Sequence, residues 1–324
     1  MKKYRNQIIT IILVCGVFII INSLIGANII NRYITRLMIL SCINIILAIS
    51  LNLITGITGQ LSLGNAAFMA IGAYVSAFFS VNLGMPFVIS LIVGSVTAAA
   101  MSVIIGIPTL KLKGDYFAIT TLGVCEIVRV LITNMDIVGG ARGLTGIPKK
   151  TTFTIAYFAV VFVIVIVVNI VKSTKGRAML AIRENEIAAE AMGVNTTKYK
   201  VVAFFISALI AGFAGGLFAH YTAFIQPTTF NFLKSIEIVT FVVLGGMGSI
   251  TGSVIASIVL TILPEALREF ADLRMIFYSI TLVVLMIFRP QGLFGTLEIT
   301  DLIEKFKNRK GKQTSKVQTT NNKM

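Results

Sequence analysis

Apolar residues along this chain gather into runs that matter on the scale of a bilayer, and the polar residues fall between them. A helix needs roughly 20 apolar residues to cross about 30 Å of hydrocarbon. Ten runs bounded by polar, Gly or Pro positions approach that length: residues 7–25, 34–54, 65–83, 86–107, 116–134, 153–171, 201–223, 236–244, 250–263 and 275–288. The eighth and ninth are too short to span alone, so they read as one broken or re-entrant segment, and the alternative count is eight or nine. The expected fold is an all-α polytopic membrane protein with about ten transmembrane helices in one domain, residues 1–292. Beyond it, residues 293–324 form a basic tail rich in Lys, Asn, Gln and Thr, expected to be a disordered cytoplasmic extension held weakly to anionic lipid.

Composition removes the competing classes. Of 324 residues, 56% are hydrophobic and 13% charged, against roughly 25% charged in a soluble domain. With a mean hydropathy of +0.92, too few polar residues exist to cover a water-facing globule. The net charge of +15 does not point to nucleic acid, because Lys and Arg lie between apolar runs and not on one face interleaved with aromatics. They do set orientation. With the N-terminus inside, inner segments hold 19 Lys and Arg against 8 outside, which places both termini in the cytoplasm and favours an even number of crossings. The first run follows Lys2, Lys3 and Arg5 as a signal peptide would. It is longer than a cleaved apolar region and lacks a defined cleavage site, so it reads as a retained helix. Cys15, Cys42 and Cys125 sit inside apolar runs, an odd number at no metal spacing, and read as small apolar residues.

Two glycine-rich breaks interrupt apolar sequence at matching places in the two halves, Gly56 to Gly64 and Gly245 to Gly252. Backbone freed from a helix at membrane depth is tolerated only against protein or a water-filled cavity, so Gly59, Gln60, Ser62, Gly64, Asn65, Gly245, Gly246 and Gly248 are candidates for a translocation path. Close packing through small residues is the competing explanation, and it is preferred for Ala66, Ala67, Ala70 and Gly72. On the fifth run Glu126 and Arg129 stand three residues apart on one helical face and can pair, either to line a path or to fix helix rotation. Asp115, Tyr116 and Thr120 lie at the start of the same run, where Asp115 also suits the positive end of the helix dipole. Glu237 begins the short eighth run, at the expected outer interface. Lone His220 has no second ligand or nucleophile at motif spacing, so no catalytic residue and no metal site is expected.

The polar inner loop 172–200 contains Arg183, Glu184, Asn185, Glu186, Ala188, Ala189, Glu190 and Gly193, a short charged helix stopped at Gly193. Such a helix, clamped between two spans, can dock a soluble partner or lie on lipid. Ala188, Ala189 and Gly193 match the Ala-Ala-x-x-x-Gly heart of the loop by which permeases of ATP-binding-cassette importers engage their ATPases. Ile187 stands where that pattern has Glu, with Glu186 one place early, and the later Ile-x-Leu-Pro part is absent.

More of the chain carries a resemblance. Gly59-Gln60-Leu61-Ser62-Leu63-Gly64-Asn65-Ala66-Ala67-Phe68, Gly114-Asp115-Tyr116-Phe117-Ala118-Ile119-Thr120-Thr121-Leu122-Gly123, Gly139-Gly140-Ala141-Arg142-Gly143-Leu144-Thr145-Gly146-Ile147, Leu244-Gly245-Gly246-Met247-Gly248-Ser249 and Arg289-Pro290-Gln291-Gly292-Leu293 occur in family order. Together they resemble the LivM-type permeases of branched-chain amino acid importers. The resemblance implies a bacterial inner-membrane permease that imports leucine, isoleucine or valine by alternating access. It implies a LivH-type second permease, two ATPase subunits carrying ATP and magnesium, and an extracellular or periplasmic amino-acid-binding protein. The chain itself has no Gly-x-x-x-x-Gly-Lys-Ser/Thr loop, so no cofactor of its own is expected. An ion-coupled carrier using Asp115, Glu126 and Glu237, a membrane scaffold, and a permease for urea or another amino acid are the alternatives.

Overall fold

A computed structural model describes residues 15–27, 30–112 and 114–267, with the single positions 279, 283 and 292. The tenth run, apart from positions 279 and 283, and the tail therefore lie outside the described residues, as do the two termini whose side of the membrane the charge bias predicts. Eleven α-helices are described: α1 (Cys15–Gly26), α2 (Arg32–Asn52), α3 (Asn65–Asn82), α4 (Phe87–Thr109), α5 (Asp115–Thr133), α6 (Phe153–Lys172), α7 (Thr174–Glu184), α8 (Glu186–Ala191), α9 (Thr196–Thr222), α10 (Phe232–Gly245) and α11 (Ile250–Ala266). No strand occurs among the described residues, only one isolated bridge between Leu144 and Ile225.

Six of these helices are long and apolar enough to cross a membrane: α2 with its extension to Ile57, α3, α4, α5, α6 and α9. The expected ten spans are thus six clear ones plus shorter pieces. The eighth and ninth runs are helices of 14 and 17 residues separated by the 246–249 turn. Their ends are set by caps that hydropathy does not register. Asn231 accepts the Lys234 N–H at 3.1 Å and starts α10 four residues before the apolar run, which draws Lys234 into the helix. Ser249 accepts the Gly252 N–H at 3.0 Å and starts α11. Asn195 does the same for α9 through Lys198, so that helix takes in Lys198 and Lys200 and reaches 27 residues. The inner loop holds two helices where one is expected, because Asn185 leaves helical geometry (φ −161°, ψ 108°) and its side chain caps α8 through the Ala188 N–H at 3.0 Å.

Lipid chains are as apolar as Leu, so helices in a bilayer associate through close packing and hydrogen bonds. Helix α9 supplies the close-packing surface with Ala208, Gly212 and Gly216 at four-residue spacing, flanked by Ala211, Gly215 and Ala219. A Cβ on Gly72 of α3 would fall on the backbone of Gly212, and one on Gly215 would fall on the Met69 carbonyl. On the α4 side, a Cβ on Gly94 would meet the Gly72 carbonyl at 2.6 Å. Helices α3, α4 and α9 therefore meet backbone to backbone. Helix α2 is the most deeply buried span and packs against α6, α9, α10 and α11. Asn65 ties α2 to α3, donating to the Leu47 carbonyl at 3.3 Å. Ser50 ties α2 to α9, donating to the Ser207 carbonyl at 2.8 Å.

The bundle has two distinct ends. At one lie α7, α8, the 58–64 connection and the 246–249 turn. At the other lie the Leu144 and Ile225 bridge and the fully buried His220, whose ring meets Ser76 at 3.2 Å and the Pro148 carbonyl at 3.0 Å. The His220 carbonyl also accepts the Lys150 and Thr151 N–H groups, hanging the 148–151 segment on α9.

The seam makes a stability prediction. Gly72→Ala should destabilise the detergent-solubilised protein by about 1–3 kcal/mol through overpacking, read as a lower melting temperature. Gly123→Ala, where a Cβ meets nothing within 4 Å, should not. Equal melting temperatures for the two variants would show that α3 and α9 tolerate separation.

Candidate functional site

The two glycine-rich breaks, 190 residues apart in sequence, touch. Helix α2 ends in a π-helical turn, Leu53–Ile57, a wider winding that leaves carbonyls without intrahelical partners and often marks functional sites. Asn52, at the start of that turn, uses both ends of its amide on the second break. Its Nδ2 donates to the Ser249 carbonyl at 3.0 Å, and its Oδ1 accepts the Gly248 N–H at 2.8 Å. The contact requires glycine: a Cβ on Gly56 would land on Asn52 and on the Gly248 nitrogen. Gly248 itself is at φ +95° and Gly59 at φ +77°, backbone that other residues rarely adopt.

Arg183 completes this joint. It is the penultimate residue of α7, and its Nη1 donates to the Gly56 carbonyl at 2.8 Å. A Cβ on Gly248 would stand 2.5 Å from that nitrogen, and one on Gly59 would stand 3.2 Å from the Arg183 Cα. Ser62 is buried and accepts the Gly64 N–H at 3.4 Å, while the Leu63 N–H bonds the Thr121 hydroxyl of α5 at 3.0 Å. Two polar atoms of the first break, Thr55 Oγ1 and Gln60 Oε1, are buried without a hydrogen-bond partner among the described residues.

Of the sequence-derived path candidates, Gly59 and Gly248 meet at the joint around Arg183, whereas Ser62 and Gly64 lie toward Thr121 of α5 and Asn65 bonds the Leu47 carbonyl of α2. Gly245 packs on Gly252 so closely that neither accepts a Cβ. The α5 candidates lie apart from the joint. Asp115 and Tyr116 are exposed at the start of α5, and Thr120 donates to its own helix at the Tyr116 carbonyl, 2.8 Å away. Further along α5, Glu126 Oε2 meets Arg129 Nε at 2.6 Å, with both side chains about one-third exposed. The other carboxylate oxygen, Oε1, accepts the Phe232 N–H at 3.2 Å, at the N-terminus of α10. Lys234, one turn on, pairs with Glu237 at 3.0 Å. An acid at the positive end of a short helix is electrostatically favoured, so Glu126 docks α10 against α5. A wholly apolar cleft of about 360 Å³ lies nearby, lined by Ile71, Tyr74, Phe78, Met101, Leu131 and Met135 among others. It offers nothing to receive a charged solute.

In the 172–200 loop, Glu186 pairs with the buried Lys200 at 2.6 Å and Glu190 accepts the Thr196 hydroxyl at 2.6 Å, so both acids of α8 hold it onto α9. Ala189 is buried, and Gly193 at φ +82° follows the helix end. The face turned outward is apolar: Ile187 is 75% and Met192 84% exposed, with Ala188 and Ala191 also exposed. Glu184 and Asn185 are exposed as well, whereas Arg183 turns inward. Sequence reasoning missed Asn52, Thr121, Ser249, Ile187 and Met192. For Asn52 a signal was present, since an amide inside an apolar run is costly unless it has a partner. His220, as described above, is a structural tie. Among the described residues no group of three His, Cys, Asp or Glu side chains gathers for a metal.

Comparison with known proteins gives a consistent picture. The family described as branched-chain amino acid transport system / permease component matches residues 33–288. The high-affinity branched-chain amino acid transport system permease protein LivM of Escherichia coli (strain K12) is 37% identical over 289 residues, 78% of this chain and 68% of the relative. Its counterpart in Salmonella typhimurium is 36% identical over the same shares. The permease protein LivH of Salmonella typhimurium is 24% identical over 289 residues, 78% of this chain and 92% of the relative. No solved structure matches the chain.

Asn52→Ala leaves the Gly248 N–H without its side-chain partner, at about 1–3 kcal/mol for the group left unsatisfied, while the Ser249 carbonyl keeps the Ser253 hydroxyl and N–H. The melting temperature should fall, and a thiol introduced by Met247→Cys should react faster with maleimide. No change in either measurement would mean that other contacts hold the turn.

Proposed function

This chain belongs to the branched-chain amino acid transport permease family, and from that premise we propose that it is one of two permeases lining the path of an ATP-driven importer. Its partner is a LivH-type chain, two ATPase subunits supply the energy, and an external binding protein delivers leucine, isoleucine or valine across the bacterial inner membrane. The N- and C-termini, α7 and α8 lie on the cytoplasmic side.

The observation that carries this reading is helix α8. Its acids are occupied by Lys200 and Thr196, so it is fixed to α9 while it offers Ile187, Ala188, Ala191 and Met192 outward. Four apolar positions on a rigid helix outside the bundle suit the groove of a soluble subunit, the usual fit of an amphipathic helix in a partner. The α5 surface supports the pairing with a second permease. A one-third exposed Glu126 and Arg129 pair on a membrane-spanning helix is expensive against lipid, and it is satisfied when that face meets another permease or a water-filled path. Path residues are proposed along α5 and at the joint: Tyr116 and Thr120 from its first turns, Glu126 and Arg129 from the face just described, Gly59, Gln60 and Ser62 from the first break, and Gly246 and Gly248 from the second.

Purification of the tagged chain from native membranes in mild detergent should bring two ATPase subunits and a second permease with it. Magnesium-dependent hydrolysis should rise when leucine-loaded binding protein is added. A chain that comes alone from a detergent in which the partner subunits are stable, and hydrolyses nothing, refutes the reading. Within the complex, Ala189→Pro removes the Ala189 N–H bond to the Asn185 carbonyl at a cost of about 3 kcal/mol. Uptake should be abolished with membrane insertion intact, and normal uptake would remove α8 from the mechanism.

A further inference from the structure

We propose that Arg183 is the positioning residue that carries movement of the docking helix into the membrane-embedded joint, so that both glycine breaks respond to α8 as one unit. The proposal rests on the importer reading above and assigns it a point of transmission.

Three separate stretches of chain meet at this one guanidinium. Arg183 lies three residues before Glu186, the first residue of α8, with only the last residue of α7 and the Asn185 cap between them. Its side chain ends inside the other structure, on the carbonyl of Gly56 in the π turn of α2. That carbonyl stands at the C-terminal end of a long helix, where partial negative charge accumulates and a cation is favoured. Asn52, four residues earlier on the same turn, holds the Gly248 N–H and the Ser249 carbonyl. A shift of the α7 and α8 corner is therefore passed to the α2 turn by Arg183 and from there to the α10–α11 turn by Asn52.

The glycines at the joint are accounted for by the same arrangement. Gly59 and Gly248 leave the space that the Arg183 backbone and guanidinium occupy, and Gly56 leaves the space for the second turn. The joint is also incompletely satisfied as it stands. Among the described residues Thr55 Oγ1, in the π turn, and Gln60 Oε1, just past it, are buried without hydrogen-bond partners, as are Tyr74 Oη of α3 and Ser90 Oγ of α4 elsewhere, and such groups call for an explanation in a native structure. A second arrangement of the break, in which the Thr55 and Gln60 atoms find donors, accounts for those two. Arg183 is placed to select between the two arrangements. A planar fork of five donors on a long stem suits this task better than an ammonium, which is a point charge.

The test uses the assembled importer in nanodiscs or proteoliposomes. It compares Arg183→Ala, Arg183→Lys and, as a control on the exposed side of α7, Arg177→Ala. Leucine uptake and binding-protein-stimulated ATP hydrolysis are measured on the same preparation. Arg183→Ala should keep hydrolysis near the wild-type rate while uptake per ATP falls by about tenfold or more, the loss expected for one charge-assisted hydrogen bond. Arg183→Lys should recover part of it, and Arg177→Ala should match wild type. Unchanged uptake per ATP overturns the proposal, and so does a parallel fall of hydrolysis and uptake in an intact complex, which would place Arg183 in ATPase docking alone.

Because Arg183→Ala removes a contact at a packed joint, a second measurement uses Arg183→Gln, which keeps a donor. Spin labels are placed through Ile187→Cys on α8 and Met247→Cys in the second turn, both exposed positions, in a Cys15→Ser background. With Arg183 present, the distance distribution between labels should keep one width as ATP and magnesium are added and the two sites move together. With Gln it should broaden or shift as they uncouple, and identical behaviour in the two chains overturns the proposal. A wild-type complex without stimulated hydrolysis removes the importer reading and this proposal with it, an outcome recognisable before any Arg183 variant is made.

Discussion

A backbone carbonyl or N–H released from a helix inside a bilayer has no water to turn to, and the arrangement of this chain follows from how its two released stretches are satisfied. Each break exposes groups that an apolar side chain cannot serve. One amide, that of Asn52, and one guanidinium, that of Arg183, serve both breaks together. The breaks must consequently be neighbours, which fixes α2 beside α10 and α11 and brings the end of α7 under them. Much of the remaining bundle is the scaffold that keeps these groups within hydrogen-bond reach.

That scaffold and the joint use glycine for opposite ends. In the α3, α4 and α9 seam, Gly72, Gly94, Gly212 and Gly215 bring helix backbones into direct contact over several turns. Many small dispersion contacts then hold a surface with little room to slide. At the joint, Gly56, Gly59 and Gly248 clear space for polar side chains and bear unusual torsions. The contacts there are few and directional.

The sequence disclosed the fold wherever a run was long. The runs at 34–54, 65–83, 86–107, 116–134, 153–171 and 201–223 all correspond to spans, because about 18 consecutive apolar positions have no other use in a helical protein. It was silent where polarity and helicity part company. Lys234 looks like loop by hydropathy but lies in α10, since Asn231 begins the helix early and Glu237, one turn on, neutralises it. Both glycine breaks were legible as breaks from composition, but their contact, 190 residues apart, was not, because nothing local encodes it. In the 172–200 loop the family motif drew attention to Ala189, which faces the bundle. Hydropathy passed over Ile187 and Met192, which face outward.

Helix α9 is 27 residues long, a rod of about 40 Å at the usual rise per residue. One tip carries the 148–151 segment through the backbone and ring of His220. Near the other, Lys200 and Thr196 grip the two acids of α8. Backbone contact with α3 and α4 along its middle leaves it little freedom to bend, although it can tilt with those neighbours as a block. If α9 moves as a rigid block, a displacement at its His220 end also displaces the anchor of α8 at the other.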